Sequence, residues 1–325
     1  MSDPISLFCI GDLSGGIKSY SIHLQRLLEL HYDCKVTLYK VKPRTEGRKR
    51  LIYGDFHYVN VDADDAVEIA NETPSIITYF ANYKRSLNAD YCRKLLEYGV
   101  PIVVQDLRGL NGIDEKFLAT NVVVMSEAAH AQIPGSKLLY QPYIRFGGNK
   151  TNEFNAICMT RVDREKHTDM ILEANKLIGL KNLNIHLCGI VDRLYEYRSL
   201  KDKYPFWRRY YMGTPELLGY TAQGLVGMHR FAVDMSTLKN DGGRTQYSFF
   251  EAMDVGTTLV VNNEWLKYPG DMKDGYNCIG VSTPEELAIV VKGSPVDLSE
   301  GYAKTLKFHS SWELAESYME VMNGT

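Results

Sequence analysis

The chain has 325 residues, of which 45% are hydrophobic and 24% charged, and a formal net charge of -3. That length is long for one core and suits two domains of roughly 150 residues each. The composition is that of an ordinary globular protein. The weak negative charge excludes a bulk basic field for nucleic acid or anionic lipid but leaves room for a local one.

Met1-Ser2-Asp3-Pro4 lacks the basic stretch and apolar core of a secretory signal. No apolar run reaches the roughly 20 residues of a membrane-spanning helix. Six cysteines occur, Cys9, Cys34, Cys92, Cys158, Cys188 and Cys278, none at CxxC spacing. They read as free, partly buried thiols of a reducing compartment. The expected location is the cytoplasm; a peripheral position at a membrane, or the host cytoplasm for a viral chain, fits the same features.

In chain order, Ile5–Ile10 is a strand, and Gly15-Gly16 opens a helix whose Ile17, Tyr20, Leu24, Leu27 and Leu28 fall on one face. Strands are expected at Lys35–Val41, Tyr58–Val61, Ile76–Tyr79, Ile102–Gln105, Val122–Met125 and Leu138–Tyr140, with a helix over Asn88–Tyr98. The segment Gln141–Glu153 holds Pro142, Gly147 and Gly148 and breaks the rhythm as a hinge. A second series follows: strand Asn155–Met159, helix Lys166–Ile178, strand Asn184–Cys188, helix Val191–Lys203 and strand Tyr210–Met212. Strand Phe231–Met235, helix Thr245–Val255, strand Thr257–Val261 and a last helix from Ser311 to Met322 complete it. This alternation predicts an α/β protein with two parallel-sheet, Rossmann-like domains facing a cleft. Ligands in such sheets sit beyond the carboxyl ends of the strands.

Three loops there carry chemistry. Gly15-Gly16 follows the first strand, and glycines at a helix start let a ligand approach backbone N–H groups. A tight strand-to-helix turn explains them equally well, and no GxGxxG or ribose-binding acid accompanies them. Thr160-Arg161-Val162-Asp163-Arg164-Glu165-Lys166 follows the first strand of the second half. Arg161 and Lys166 suit a diphosphate, because cations at a helix start are unfavourable unless they meet an anion; a solvated charge run is the plainer account. In Asp241-Gly242-Gly243-Arg244-Thr245-Gln246 a glycine turn again precedes a helix. Glu251 then lies among Phe249, Phe250, Ala252 and Met253, where a carboxylate needs donors such as a ribose diol or a neighbouring cation.

Together these segments resemble the family-4 retaining glycosyltransferases of GT-B fold. The resemblance rests on Gly15-Gly16, Arg161 with Lys166, Glu251-Ala252-Met253 with Gly256-Thr257, and the closing Phe308-His309-Ser310-Ser311-Trp312-Glu313, in the family's order. The short chain and the segment Gln246-Tyr247-Ser248-Phe249-Phe250-Glu251 give a weaker similarity to phage DNA alpha-glucosyltransferases. The resemblance implies an acceptor-side domain over 1–142, a nucleotide-sugar domain over 143–307, and a helix over 308–325 that crosses back to the first. It implies a retaining, metal-independent hexosyltransferase with a nucleoside-diphosphate sugar as donor, UDP most of all, and no other cofactor. Arg161 and Lys166 would hold the diphosphate and stabilise the leaving group. Glu251 would bind the ribose, and Gly15, Gly16, Gly242, Gly243 and Arg244 would line the donor site.

Two departures stand out. Gly243 occupies the place of the family's first Glu, with Asp241 two residues earlier. Gln105-Asp106 replaces a His-Asp pair, which makes Asp106 the expected catalytic carboxylate. Both substitutions also fit an inactive nucleotide-binding relative. Acceptors compatible with the sequence are a glycan, a lipid-linked glycan or DNA. The basic stretch Lys40–Arg50, with Lys42, Arg48, Lys49 and Arg50, is the expected contact for a polyanion, or else a charged surface loop.

Overall fold

The computed structural model describes residues 3–11, 15–41, 58–80, 86–105, 107, 117, 122–237, 245–267 and 272–324. The chain divides into two compact units, one containing Met1–Ile144 and Phe308–Thr325, the other Arg145–Leu238 and Thr245–Lys307.

In the first unit seven parallel strands lie in the order β3-β2-β1-β4-β5-β6-β7. They are β1 Ile5–Ile10, β2 Val36–Val41, β3 Tyr58–Val61, β4 Ser75–Phe80, β5 Ile102–Val104, β6 Val122–Val124 and β7 Lys137–Leu138. Every residue of β1 and β4 is buried, as expected of apolar strands covered on both faces. The helix Gly15–Tyr32 buries Tyr20, Leu24, Leu27 and Leu28 completely, the face its spacing predicts. The closing helix Trp312–Met322 is capped by Ser311, which accepts the Leu314 N–H at 3.2 Å. Tyr318 fixes it in this unit: its hydroxyl accepts from Tyr20 at 2.8 Å and donates to the Tyr140 carbonyl at 2.9 Å.

The second unit has six parallel strands in the order β10-β9-β8-β11-β12-β13. These are β8 Phe154–Cys158, β9 Ile185–Cys188, β10 Tyr211–Gly213, β11 His229–Asp234, β12 Thr258–Asn262 and β13 Ile279–Val281. The helix Thr168–Ile178 buries Ile171, Leu172 and Ile178 and ends at Gly179 in the left-handed region. Its Asn175 donates to the Ile185 carbonyl at 2.9 Å and accepts the Ile185 N–H at 2.8 Å, which ties the helix to β9. Where one helix over Val191–Lys203 is expected, the backbone runs helical over Arg193–Tyr195, widens to a π-turn over Glu196–Leu200 and recovers over Lys201–Lys203. Asp192 starts this stretch by accepting the N–H groups of Leu194 and Tyr195 at 2.7 and 3.0 Å. The expected strand Phe231–Met235 runs earlier, from His229, because its start pairs with Phe154 of β8.

The segment after Tyr143 is anchored in both units by buried groups. In the first, His23 accepts the Ile144 N–H at Nδ1 (3.0 Å) and stacks on Tyr143 with centroids 4.4 Å apart. In the second, the Asp254 carboxylate accepts from Arg145 Nε at 2.9 Å and from the N–H groups of Phe146 and Gly147 at 2.8 and 3.1 Å. Burial, followed by the nearby Arg26 charge, lowers the His23 pKa from 6.5 to about 3. In the second unit, burial lowers His229 to about 4 while its Nδ1 donates to the Leu225 carbonyl at 2.9 Å.

Both histidines are neutral when folded and bind a proton when unfolded below about pH 6.5. Their stability contribution is therefore complete above that pH and lost as pH falls from 6.5 toward 4 and 3. Each adds a slope of up to about 1.4 kcal/mol per pH unit within its window. Denaturant unfolding between pH 7 and 4 should show the loss, and His23→Gln should reduce the slope; an unchanged slope would contradict the assignment.

Candidate functional site

The second sheet reverses its winding between β8 and β11, the place where parallel sheets open to a ligand. β8 ends in Cys158, and the chain then runs through Thr160 to Lys166 before the helix Thr168–Ile178 begins. Asp163, 4% exposed, organises this loop. Its carboxylate accepts the Lys166 N–H at 2.8 Å and its carbonyl the Thr168 hydroxyl at 3.0 Å. His167, at the helix start, takes a left-handed conformation with φ 47°, which a non-glycine residue seldom adopts.

Lys166 reaches across to the next strand's helix. Its Nζ donates to Gln246 Oε1 at 3.1 Å, and Gln246 immediately precedes the helix Tyr247–Val255. Gln246 makes no side-chain cap to that helix, and its amide oxygen is committed to Lys166 instead. β11 holds the same helix start from the other side. Asp234 Oδ2 accepts from the Ser248 hydroxyl at 3.2 Å, while its Oδ1 accepts from the Ser236 N–H at 2.9 Å and hydroxyl at 2.6 Å. A lysine ammonium is thus set beside a helix N-terminus, both favourable to an anion.

Arg161 is placed differently from the expectation that a cation here serves an anion. Its Nε lies 3.3 Å from Asp163 and its Nη2 3.2 Å from Glu165, and the side chain is 59% exposed. Two acidic neighbours already meet its charge, whereas the Lys166 ammonium meets the neutral Gln246 amide. Burial, then the negative charge of Asp234, pushes the Cys158 thiol up to about 12, with Lys166 acting in the opposite sense. Cys158 is therefore an inert packing residue beneath the loop and not a nucleophile.

The loop is pinned to its other neighbour, the segment after β9. Val162 donates to the Ile190 carbonyl at 2.9 Å and accepts from the Asp192 N–H at 3.0 Å. Gly189 lies against Thr160 so closely that a Cβ there would come within 2.0 Å of the Thr160 oxygen.

Glu251 is 5% exposed on the helix Tyr247–Val255, between buried Phe250 and Ala252. Gly15 and Gly16 open the helix Gly15–Tyr32 in the first unit. Gln105, which stands where the resembled family has His, gives its amide N–H to the Thr78 carbonyl of β4 at 2.8 Å. Lys42, Arg48, Lys49, Arg50, Asp106, Asp241, Gly242, Gly243 and Arg244 lie outside the described residues. Among the described residues no group of three His, Cys, Asp or Glu side chains gathers as a metal site. The sequence expectation contains Arg161, Lys166 and Glu251 but lacks Asp163, Gly189, Asp234 and Gln246 as site-builders. Gly189 and Asp234 are marked only by standing at strand ends.

No protein-family model matches the chain, and no curated protein matches it in sequence. Solved structures match it end to end. Anabaena HepE in complex with UDP superposes with TM-score 0.60 at 12% identity, covering 100% of both chains. An alpha-glucosyltransferase in complex with UDP and a 13-mer DNA gives 0.62 at 14% identity, over 98% of this chain and 95% of that one. The lipopolysaccharide outer core galactosyltransferase WaaB gives 0.60 at 11%, over 98% and 99%. The chain has the GT-B fold. Its two parallel sheets are the two Rossmann-like halves of that fold, and the Lys166 loop belongs to the second. Among the described residues no helix is long and apolar enough to cross a membrane.

Proposed function

We propose that this GT-B chain is a glycosyltransferase that takes its sugar from a nucleoside diphosphate, UDP foremost, and transfers it with retention of configuration. The observation that carries this reading is the Lys166–Gln246 pair at the start of the helix Tyr247–Val255, beside the turning point of the second sheet. Support comes from the UDP bound in the structural neighbours HepE and alpha-glucosyltransferase. Retention rests on the resemblance to family-4 enzymes.

In the reaction the bond between sugar C1 and the β-phosphate oxygen breaks, and a bond from the acceptor oxygen to C1 forms on the same face. The acceptor proton passes to the departing phosphate oxygen. The main demand is to stabilise the charge that grows on the leaving diphosphate. Lys166 and the helix N–H groups supply a fixed positive field for it, and Arg161 adds a more solvated one. Glu251 is assigned to the ribose hydroxyls and Asp106 to the sugar or acceptor.

Release of free nucleoside diphosphate from a panel of sugar donors tests this reading. Nucleotide binding without turnover of any donor would replace it with an inactive GT-B binding protein. EDTA should leave turnover largely unchanged, because protein cations and helix dipoles neutralise the diphosphate. Loss on chelation, restored by Mg²⁺ or Mn²⁺, would contradict that part.

For the acceptor, DNA is favoured by one feature: residues 40–50 hold six Lys or Arg against one Glu. If that stretch contacts DNA, acceptor KM should rise steeply with salt as bound phosphates release counterions. Arg48→Gln, Lys49→Gln and Arg50→Gln together should flatten the salt slope and leave donor affinity unchanged. Equal slopes in the native and triple-substituted proteins would eliminate this role for the loop.

A further inference from the structure

Outside the donor site, the stretch from Arg193 to Arg209 has two contrasting faces. Inward, Tyr195, Leu200, Tyr204 and Trp207 join the core of the second unit. Outward stand Leu194, Tyr197 and Phe206, exposed by 56, 71 and 60%. Single exposed apolar residues are ordinary, but three large ones within thirteen positions of one solvent-facing stretch are not.

The charges around them are one-sided. Arg193, Arg198, Lys201, Lys203, Arg208 and Arg209 are all exposed, against Asp192, Glu196 and Asp202, in a chain whose net charge is -3. Glu196 is bound to Arg208, which ties the helical run to the turn Trp207–Arg209 and makes one patch of them. The cations lie on the apolar groups: Lys201 is 5.7 Å from the Tyr197 ring centroid and Arg209 is 4.2 Å from that of Phe206.

We propose that this face of the second unit seats on an anionic phospholipid surface, with Leu194, Tyr197 and Phe206 entering the headgroup boundary and the cations meeting lipid phosphates. Aromatic and aliphatic side chains ringed by Lys and Arg are the chemistry of an interfacial contact. A single-stranded nucleic acid would stack its bases on ring faces, and here Lys201 and Arg209 already lie over one face each of Tyr197 and Phe206. Leu194 offers no ring at all. A second copy meeting through the same face would bring two positive patches together.

The test is co-sedimentation of the full chain with vesicles of equal phosphatidylcholine and phosphatidylglycerol, against vesicles of phosphatidylcholine alone. Binding is expected only to the anionic vesicles and should weaken at least tenfold in 0.5 M NaCl, an order-of-magnitude expectation from charge screening. Leu194→Ser, Tyr197→Ser and Phe206→Ser combined should lower it about tenfold or more, since interfacial binding scales with buried apolar area. Lys201→Gln with Arg209→Gln, which leaves the apolar groups in place, should lower it as well. Thermal unfolding of each variant reports whether the fold survives. Absence of vesicle binding, or equal binding by native and variant proteins, overturns the proposal. So does capture of single-stranded DNA, or dimerisation, that the serine variant abolishes while vesicles are ignored. None of these outcomes depends on UDP binding, so failure here leaves the transferase reading standing.

Discussion

Lys166→Ala is expected to lower kcat/KM for the sugar donor by about 100-fold or more, with little change in thermal unfolding. Removing one fixed donor from developing charge commonly costs about 3 kcal/mol of transition-state stabilisation, which is that factor. The fold should tolerate the change because the bond Lys166 makes to Gln246 is a partly exposed one. Arg161→Ala should cost less, since Asp163 and Glu165 already share that guanidinium's charge and water surrounds it. Gln246→Ala should fall between them, because Lys166 remains but loses the group that aims it. Donor hydrolysis and UDP calorimetry on the three variants give the ranking. Near-native rates for Lys166→Ala would remove the diphosphate from this loop altogether.

The two parallel sheets were legible because their strands are continuous apolar runs: Ile5–Ile10 and Tyr58–Val61 lie where the sequence places them. The helix Gly15–Tyr32 followed from a single face at helical spacing. By contrast, the helix Pro284–Lys292 is absent from the sequence expectation, although Thr283 caps it, proline stands in its first turn and Glu285 and Glu286 follow. Nine residues give too short a period to stand out, but its start signals were readable. The π-turn at Glu196–Leu200 has no sequence mark that distinguishes it from regular helix.

At the site, the residue types were visible and the partnerships were not. Arg161 with Glu165 is a local i,i+4 pair that its heptapeptide already contains, and it tempers the assignment of Arg161 as a bare phosphate ligand. Lys166 with Gln246 joins residues 80 positions apart. Asp234 draws in Ser248 from 14 positions away. Spacing along the chain cannot reveal such pairs; only the adjacency of β8 and β11 creates them.

That dependence on neighbouring strand ends makes Gly189→Ala the most disruptive single methyl in the second unit's site. Gly189 has φ 153°, and its added Cβ would sit 2.0 Å from the Thr160 oxygen and 2.7 Å from the Thr160 carbonyl carbon. Both are backbone atoms, so no side chain can swing aside. Gly189 itself cannot retreat easily: its N–H donates to the Gly213 carbonyl at 2.8 Å and its carbonyl accepts from the Tyr211 hydroxyl at 2.9 Å. The strain must move Thr160, and with it Arg161 and the Lys166 loop. Overpacking plus an unfavourable φ should cost about 3 kcal/mol or more. The displaced loop should also weaken UDP binding by about tenfold, the equivalent of roughly 1.4 kcal/mol. Gly179→Ala is the matched control: φ is 66°, but the nearest atom to its Cβ would be the Lys176 oxygen at 3.9 Å. It should cost only the left-handed backbone penalty, roughly 1 to 2 kcal/mol, and leave UDP affinity alone. Urea unfolding with UDP calorimetry on both variants separates strain from site displacement. If Gly189→Ala bound UDP as tightly as Gly179→Ala does, the donor loop would not be positioned by its contact with the β9 turn.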